Sequence, residues 1–81
     1  MYHAVLALNS SPVARSKHTT RAAAARALSR LMTEARMSKT RFEHAGVVLP
    51  NDGVMSLHSA CGNHDALVSP TVAASILKAC H

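Results

Sequence analysis

From Thr19 to Met37 the chain carries an Ala- and Arg-rich run with a clear helical period, and the rest of the fold must accommodate it. Ala24, Ala27, Leu28, Leu31, Met32 and Ala35 recur at steps of three and four, which places them on one face of a 3.6-residue helix. Arg26, Arg30 and Thr33 fall on the opposite face, with Met37 below them. Thr19 or Thr20 supplies an N-cap hydroxyl, and a run of Ala costs least to hold helical. A sheet must therefore pack on the Ala/Leu/Met stripe, and Leu28 and Leu31 are expected among the most buried residues.

The flanking segments supply that sheet. Tyr2 to Leu8 reads as a strand, apolar on both faces as in the interior of a sheet. Asn9-Ser10-Ser11-Pro12 is a turn signature, because Asn and Ser bond their own backbone and Pro presets φ. Val13 to His18 alternates weakly, with Val13, Arg15 and Lys17 on one side and Ala14, Ser16 and His18 on the other; a polar edge strand fits. After the polar exit at Ser38 to Thr40, Arg41 to Leu49 reads as a strand. Pro50-Asn51-Asp52-Gly53 is a strong turn signal, with Pro suited to i+1 and Gly to φ > 0, and Val54 to Ala60 returns as the partner strand. Cys61 to Val68 reads as a loop that can end in a short strand at 66–68. Ser69-Pro70 opens a second helix with the stripe Val72, Ala73, Ile76, Leu77 and Cys80, and Lys78 and His81 suit the negative end of its dipole.

The order β-β-α-β-β-α predicts an α+β fold, a small two-layer sandwich with a mostly antiparallel sheet, over residues 1–81 as one domain. Tyr2 and Phe42 are the only aromatic residues, so the core is aliphatic and modest for 81 residues. A homodimer or a larger partner would relieve that shortage.

Charge is unevenly distributed. Arg15, Lys17, Arg21, Arg26, Arg30, Arg36, Lys39 and Arg41 fall between residues 15 and 41 against the single acid Glu34, a net +7. The rest of the chain holds one base against three acids, a net −2. Such a segment is either a solvated helix face or the contact for an acidic partner, protein or nucleic acid. The apolar start at Ala4 to Leu8 is too short for a signal peptide, and no run approaches the roughly 20 apolar residues of a membrane span. Two cysteines do not make a disulfide framework, so the expected setting is a reducing cytosol, with no membrane association.

Residues that carry chemistry are sparse. His58-x-x-Cys61-x-x-His64, with Cys80 and His81, contains soft ligands for zinc, but not at the spacing of a finger or ribbon. Cys61 has His58 and His64 nearby as a base, yet no orienting carboxylate beyond Asp65 and no oxyanion device can be identified. Gly46, Gly53 and Gly62 stand too far apart for a phosphate loop. The reading is therefore non-enzymatic, with no cofactor or metal. Two aromatic residues also offer little platform for stacking single-stranded bases.

Two resemblances bear on function. Leu28 to Val47, with Ser38 as a cap and Ala45-Gly46-Val47 at its end, resembles the helix–turn–helix of phage-repressor-type regulators. The resemblance implies a second helix over 38–47 and a recognition helix after it, where this chain has Pro50 and the Asn51-Asp52-Gly53 turn. In size, in an Ala-rich helix on a small sheet, and in lacking a catalytic site, the chain resembles the small anti-CRISPR proteins of phages and mobile elements. That resemblance is of build, with no shared motif. It implies a non-enzymatic inhibitor in the bacterial cytoplasm that occupies a face of a CRISPR effector complex. The partner-binding residues expected from the charge pattern are Arg15, Lys17, Arg26, Arg30 and Arg36, facing an acidic protein surface. The alternative is a small basic nucleic-acid-binding protein.

Overall fold

The computed structural model describes residues 1–62 and 66–81. Strands β1 (Tyr2–Leu8) and β2 (Ser11–His18) form an antiparallel hairpin. Its turn is Asn9-Ser10 alone, with φ of 52° and 63°, the left-handed pair whose twist matches that of the strands. The expected turn over Asn9 to Pro12 is thus shorter: Ser11 and Pro12 belong to β2 and pair with Leu8 and Ala7. Pro12 is tolerated because β2 is an edge strand, and Val13 is the extra residue of a bulge between Leu6 and Ala7.

Helix α1 spans Arg21–Met37 and starts where the Thr20 hydroxyl accepts the Ala23 N–H at 3.1 Å. It stops by backbone bonding: Thr40 N–H reaches the Ala35 carbonyl at 2.8 Å and Lys39 N–H reaches that of Arg36 at 3.1 Å. That is the Schellman pattern, with Lys39 (φ 55°) where glycine is usual. Ala24, Ala25, Ala27, Leu28 and Ala35 are buried. Leu28 has no exposed surface, as the period predicts. Leu31 is only half-buried, because it sits at the margin of the stripe beside Val13 and Ala14 of β2.

Strand β3 (His44–Val48) pairs antiparallel with β1, and β4 (Val54–Met55) pairs antiparallel with β3. Between them Asp52 N–H bonds the Leu49 carbonyl and Gly53 N–H bonds Asn51 Oδ1, so the expected hairpin is present. The positive φ falls on Asp52 (66°), not on Gly53. The return strand is far shorter than the expected 54–60. Ser56 turns the chain, its hydroxyl accepts the Ser59 N–H, and Leu57–Cys61 is a short helix, α2. No strand forms at 66–68, although Val68 N–H bonds the Val54 carbonyl at 2.9 Å. Helix α3 (Pro70–Cys80) opens at Ser69-Pro70 as expected and buries Ile76, Ala79 and Cys80. The helix–turn–helix expectation fails: β3 and the Schellman stop occupy the place of its second helix, and a β-turn that of its third.

The four strands lie in the order β2-β1-β3-β4, every pair antiparallel, and the fold class is α+β. The layering differs from a two-layer sandwich. Ala4, Leu6, Val47 and Met55 pack with α1 and Ala60 of α2 on one face. Val5, Ala7, Val48 and Val54 pack with Ile76 and Ala79 of α3 on the other. Alternate residues of each strand thus feed two cores, and helices cover both faces.

Candidate interaction surface

Because α1 buries one side in the core, its outer side is fixed in orientation. Arg26, Ser29, Arg30 and Thr33 are all exposed there, and Met37 is 80% exposed at the end of the line. Arg26 forms no ion pair among the described residues. Arg30 Nε lies 3.8 Å from Glu34 Oε1 with both side chains largely in solvent, a contact worth at most a few tenths of a kcal/mol, ~0.3–0.5 for such pairs. The Thr33 hydroxyl donates to the Ser29 carbonyl at 3.1 Å, so that side chain is held along the helix. Arg36 is exposed but lies roughly 80° around the axis from Arg26, on the flank of the stripe.

Arg15 and Lys17 do not join this surface. In β2 they stand opposite Val5 and His3, whose alternation points them to the α3 side of the sheet. Arg15 Nη1 donates to the carbonyls of Cys80 at 2.9 Å and Ala79 at 3.3 Å, capping the negative end of α3. The five expected contact residues are therefore divided, with Arg26, Arg30 and Arg36 on α1 and Arg15 and Lys17 across the sheet. The structural task of Arg15 had no local sequence signal, since its acceptors lie more than sixty residues away in the chain.

The groups considered for chemistry are also dispersed. Cys80 belongs to the α3 core, whereas Cys61 lies at the end of α2 beside Ala22, Ala25 and Arg26 of α1, so the two thiols are on opposite layers. His64 and Asp65 lie outside the described residues. Among the described residues no three His, Cys, Asp or Glu side chains gather as metal ligands. One pairing was not evident from the sequence: Ser16 Oγ and His18 Nε2 lie 2.7 Å apart on the α1 side of β2. Residues two apart on a strand share a face, which is the signal that could have found it. No carboxylate contacts His18 among the described residues, and the pair is a contact within the edge strand itself.

His3 and Cys80 mark the second basic region. Burial, then Lys17, the Met1 amino group, His81 and Arg15 hold the His3 pKa below the ordinary histidine value. Burial raises the Cys80 thiol, with Arg15 opposing. Among the described residues no helix is long and apolar enough to cross a membrane.

Fold and surface together define a small helix–sheet–helix α+β protein with Arg26 and Arg30 on the outer side of α1. No protein-family model, no curated protein and no solved structure matches the chain.

Proposed function

We propose that this protein is a non-enzymatic inhibitor of a nucleic-acid-handling complex, similar in mode to the anti-CRISPR proteins, which occupies an acidic protein surface with the outer stripe of α1. The observation that carries the reading is the pairing of Arg26 and Arg30, one turn apart and in solvent, on a helix whose other face is locked into the core. A rigid helix presents such charges on a backbone that is already ordered, and they accelerate and orient encounter with an acidic face. Both faces of the sheet are covered by helices, so the surfaces presented to a partner are helix backs and strand edges, and of the helix backs that of α1 carries the arginines. A CRISPR effector as partner implies work in the bacterial cytoplasm.

A second reading has its own support. Arg26, Ser29, Arg30 and Thr33 follow the i, i+3, i+4, i+7 spacing with which a helix offers side chains to a nucleic-acid groove. Arg26→Glu with Arg30→Glu separates the two. The double variant should keep its stability within about 0.5 kcal/mol, as exposed substitutions do. Tagged protein should capture a protein partner from nuclease-treated bacterial extract and inhibit the captured complex, while the double variant does neither and Lys78→Glu on α3 does both. Capture abolished by nuclease transfers the function to nucleic acid. Capture and inhibition that survive the double variant refute the α1 surface.

A further inference from the structure

The two edges of the sheet are unlike. β4 is two residues long, and the segment before α3 lies along it through the bond from Val68 N–H to the Val54 carbonyl. β2 runs for eight residues, and no described segment pairs with its outer side. A free edge presents backbone donors and acceptors that take up another strand unless side chains prevent it.

Charge decides which strand. Arg15 and Lys17 share the α3 side of the sheet. Antiparallel pairing of two copies about Ser16 would set Arg15 opposite Lys17 twice. Moving the axis to Arg15 or to Lys17 sets that residue against its own copy. Like charges directly opposite are destabilising, so β2 discourages a second copy of this chain in the registers centred on residues 15 to 17. An extended segment with acids at alternate positions meets the reverse situation.

The space beside the edge supports the same occupant. His3, Arg15, Ser16, Lys17, Cys80 and His81 line an open groove of about 510 Å³ where α3 ends. No carboxylate side chain lines it among the described residues, though Asp52 reaches His81 Nε2 at 3.9 Å. Arg15 is already held at the rim by the α3 carbonyls, so less of its side-chain freedom is left to lose on binding. Burial is the largest cause of the lowered His3 pKa, followed by repulsion from Lys17, the Met1 amino group, His81 and Arg15, and a carboxylate entering the groove opposes that repulsion.

We propose that the outer edge of β2 receives an extended acidic segment of a partner protein as an added strand, its alternate carboxylates set against Arg15 and Lys17 and one of them entering the groove beside His3. Strand addition supplies main-chain hydrogen bonds, and the alternation supplies specificity. This contact lies on the other side of the sheet from the α1 stripe and does not depend on it.

The test is a titration of isotope-labelled full chain with a short peptide of alternating Glu and Val, followed by NMR and amide hydrogen exchange. Saturable shifts confined to β2, its neighbour β1 and the end of α3, together with slowed exchange along β2, support the proposal. Lys17→Glu, at an exposed position, should weaken binding by about tenfold or more, while Arg26→Glu with Arg30→Glu leaves it unchanged. The proposal is overturned if the peptide does not bind, if alternating Gln and Val binds as well, or if Lys17→Glu has no effect. Equal binding of a peptide with the same charges but proline at the intervening positions overturns strand addition, as does self-association through β2.

Discussion

Gly46→Ala separates a covered sheet face from an open one by the sign of its effect. Gly46 sits in β3 opposite Val5, on the side that α3 covers. A Cβ built there falls 2.9 Å from Ile76 Cδ1, 2.9 Å from Val54 Cγ1 and 3.2 Å from the Met55 carbonyl oxygen. Ile76 has no exposed surface and Val54 is 1% exposed, so neither side chain has solvent to move into, and the valine is stiff at χ1. Overpacking of this kind costs about 1–3 kcal/mol. Replacing a strand glycine by alanine returns about 0.5–1 kcal/mol. The midpoints of these two ranges leave a net loss of about 1.2 kcal/mol, read as a lower urea midpoint at unchanged m value. For a chain of this size that corresponds to a fall in Tm of about 5–10 °C. Ile76→Val removes the methyl that the added Cβ would strike, so in the double variant the two losses should sum to less than their separate values. On an open face the same substitution would be stabilising, and a gain in stability would falsify the helix–sheet–helix packing.

Three further outcomes follow from the packing and the local fields. Leu28→Ala, at a position with no exposed surface, should cost about 2–5 kcal/mol in denaturant unfolding, and Leu31→Ala, half-buried, clearly less; equal losses would mean that the buried face of α1 is rotated. His3 has a lowered pKa in the fold, so the unfolded chain binds its proton first. Stability should therefore be lost as pH falls through the ordinary value of about 6.5 towards the lowered one, and His3→Gln should remove that part of the slope; identical slopes for the two proteins would contradict it. Cys61 is exposed and Cys80 is buried with a raised pKa, so iodoacetamide should label Cys61 in the native protein and Cys80 about tenfold more slowly or only on unfolding; equal rates would place Cys80 outside the core.

How much was legible depended on whether the determinant was local. The start of α1 was written in the Thr cap and the Ala run, the start of α3 in Ser69-Pro70, and the second hairpin in Pro50 to Gly53. The end of α1 was less visible, because the left-handed position went to Lys39 and no glycine marked it. The helix α2 was hidden inside a strand-like run: Val54 and Met55 do pair, and the competing signal was Ser56, whose hydroxyl caps Ser59 N–H. The layer count was within reach. Ala4 to Ala7 is a continuous apolar run with no exposed surface, and such a strand needs cover on both faces, which a two-layer sandwich does not provide. For the candidate surface, the helical period placed Arg26 and Arg30 outward correctly. Strand alternation grouped Arg15 with Lys17, but only the tertiary fold shows that this pair faces α3 and that Arg15 is engaged with its last carbonyls.

The proposed function requires that the outer stripe of α1 meet a protein. A photo-crosslinking residue at Thr33, between Arg30 and Met37 on the exposed line, tests it most directly, with one at Thr71 on exposed α3 surface as the comparison. Irradiated in nuclease-treated extract of the bacterial host, the Thr33 site should join a protein of defined mass, and adding Arg26→Glu and Arg30→Glu should abolish that product while the Thr71 site yields none. Crosslinks from Thr71 of equal strength, a product indifferent to the two arginines, or adducts formed with nucleic acid alone in untreated extract would contradict it.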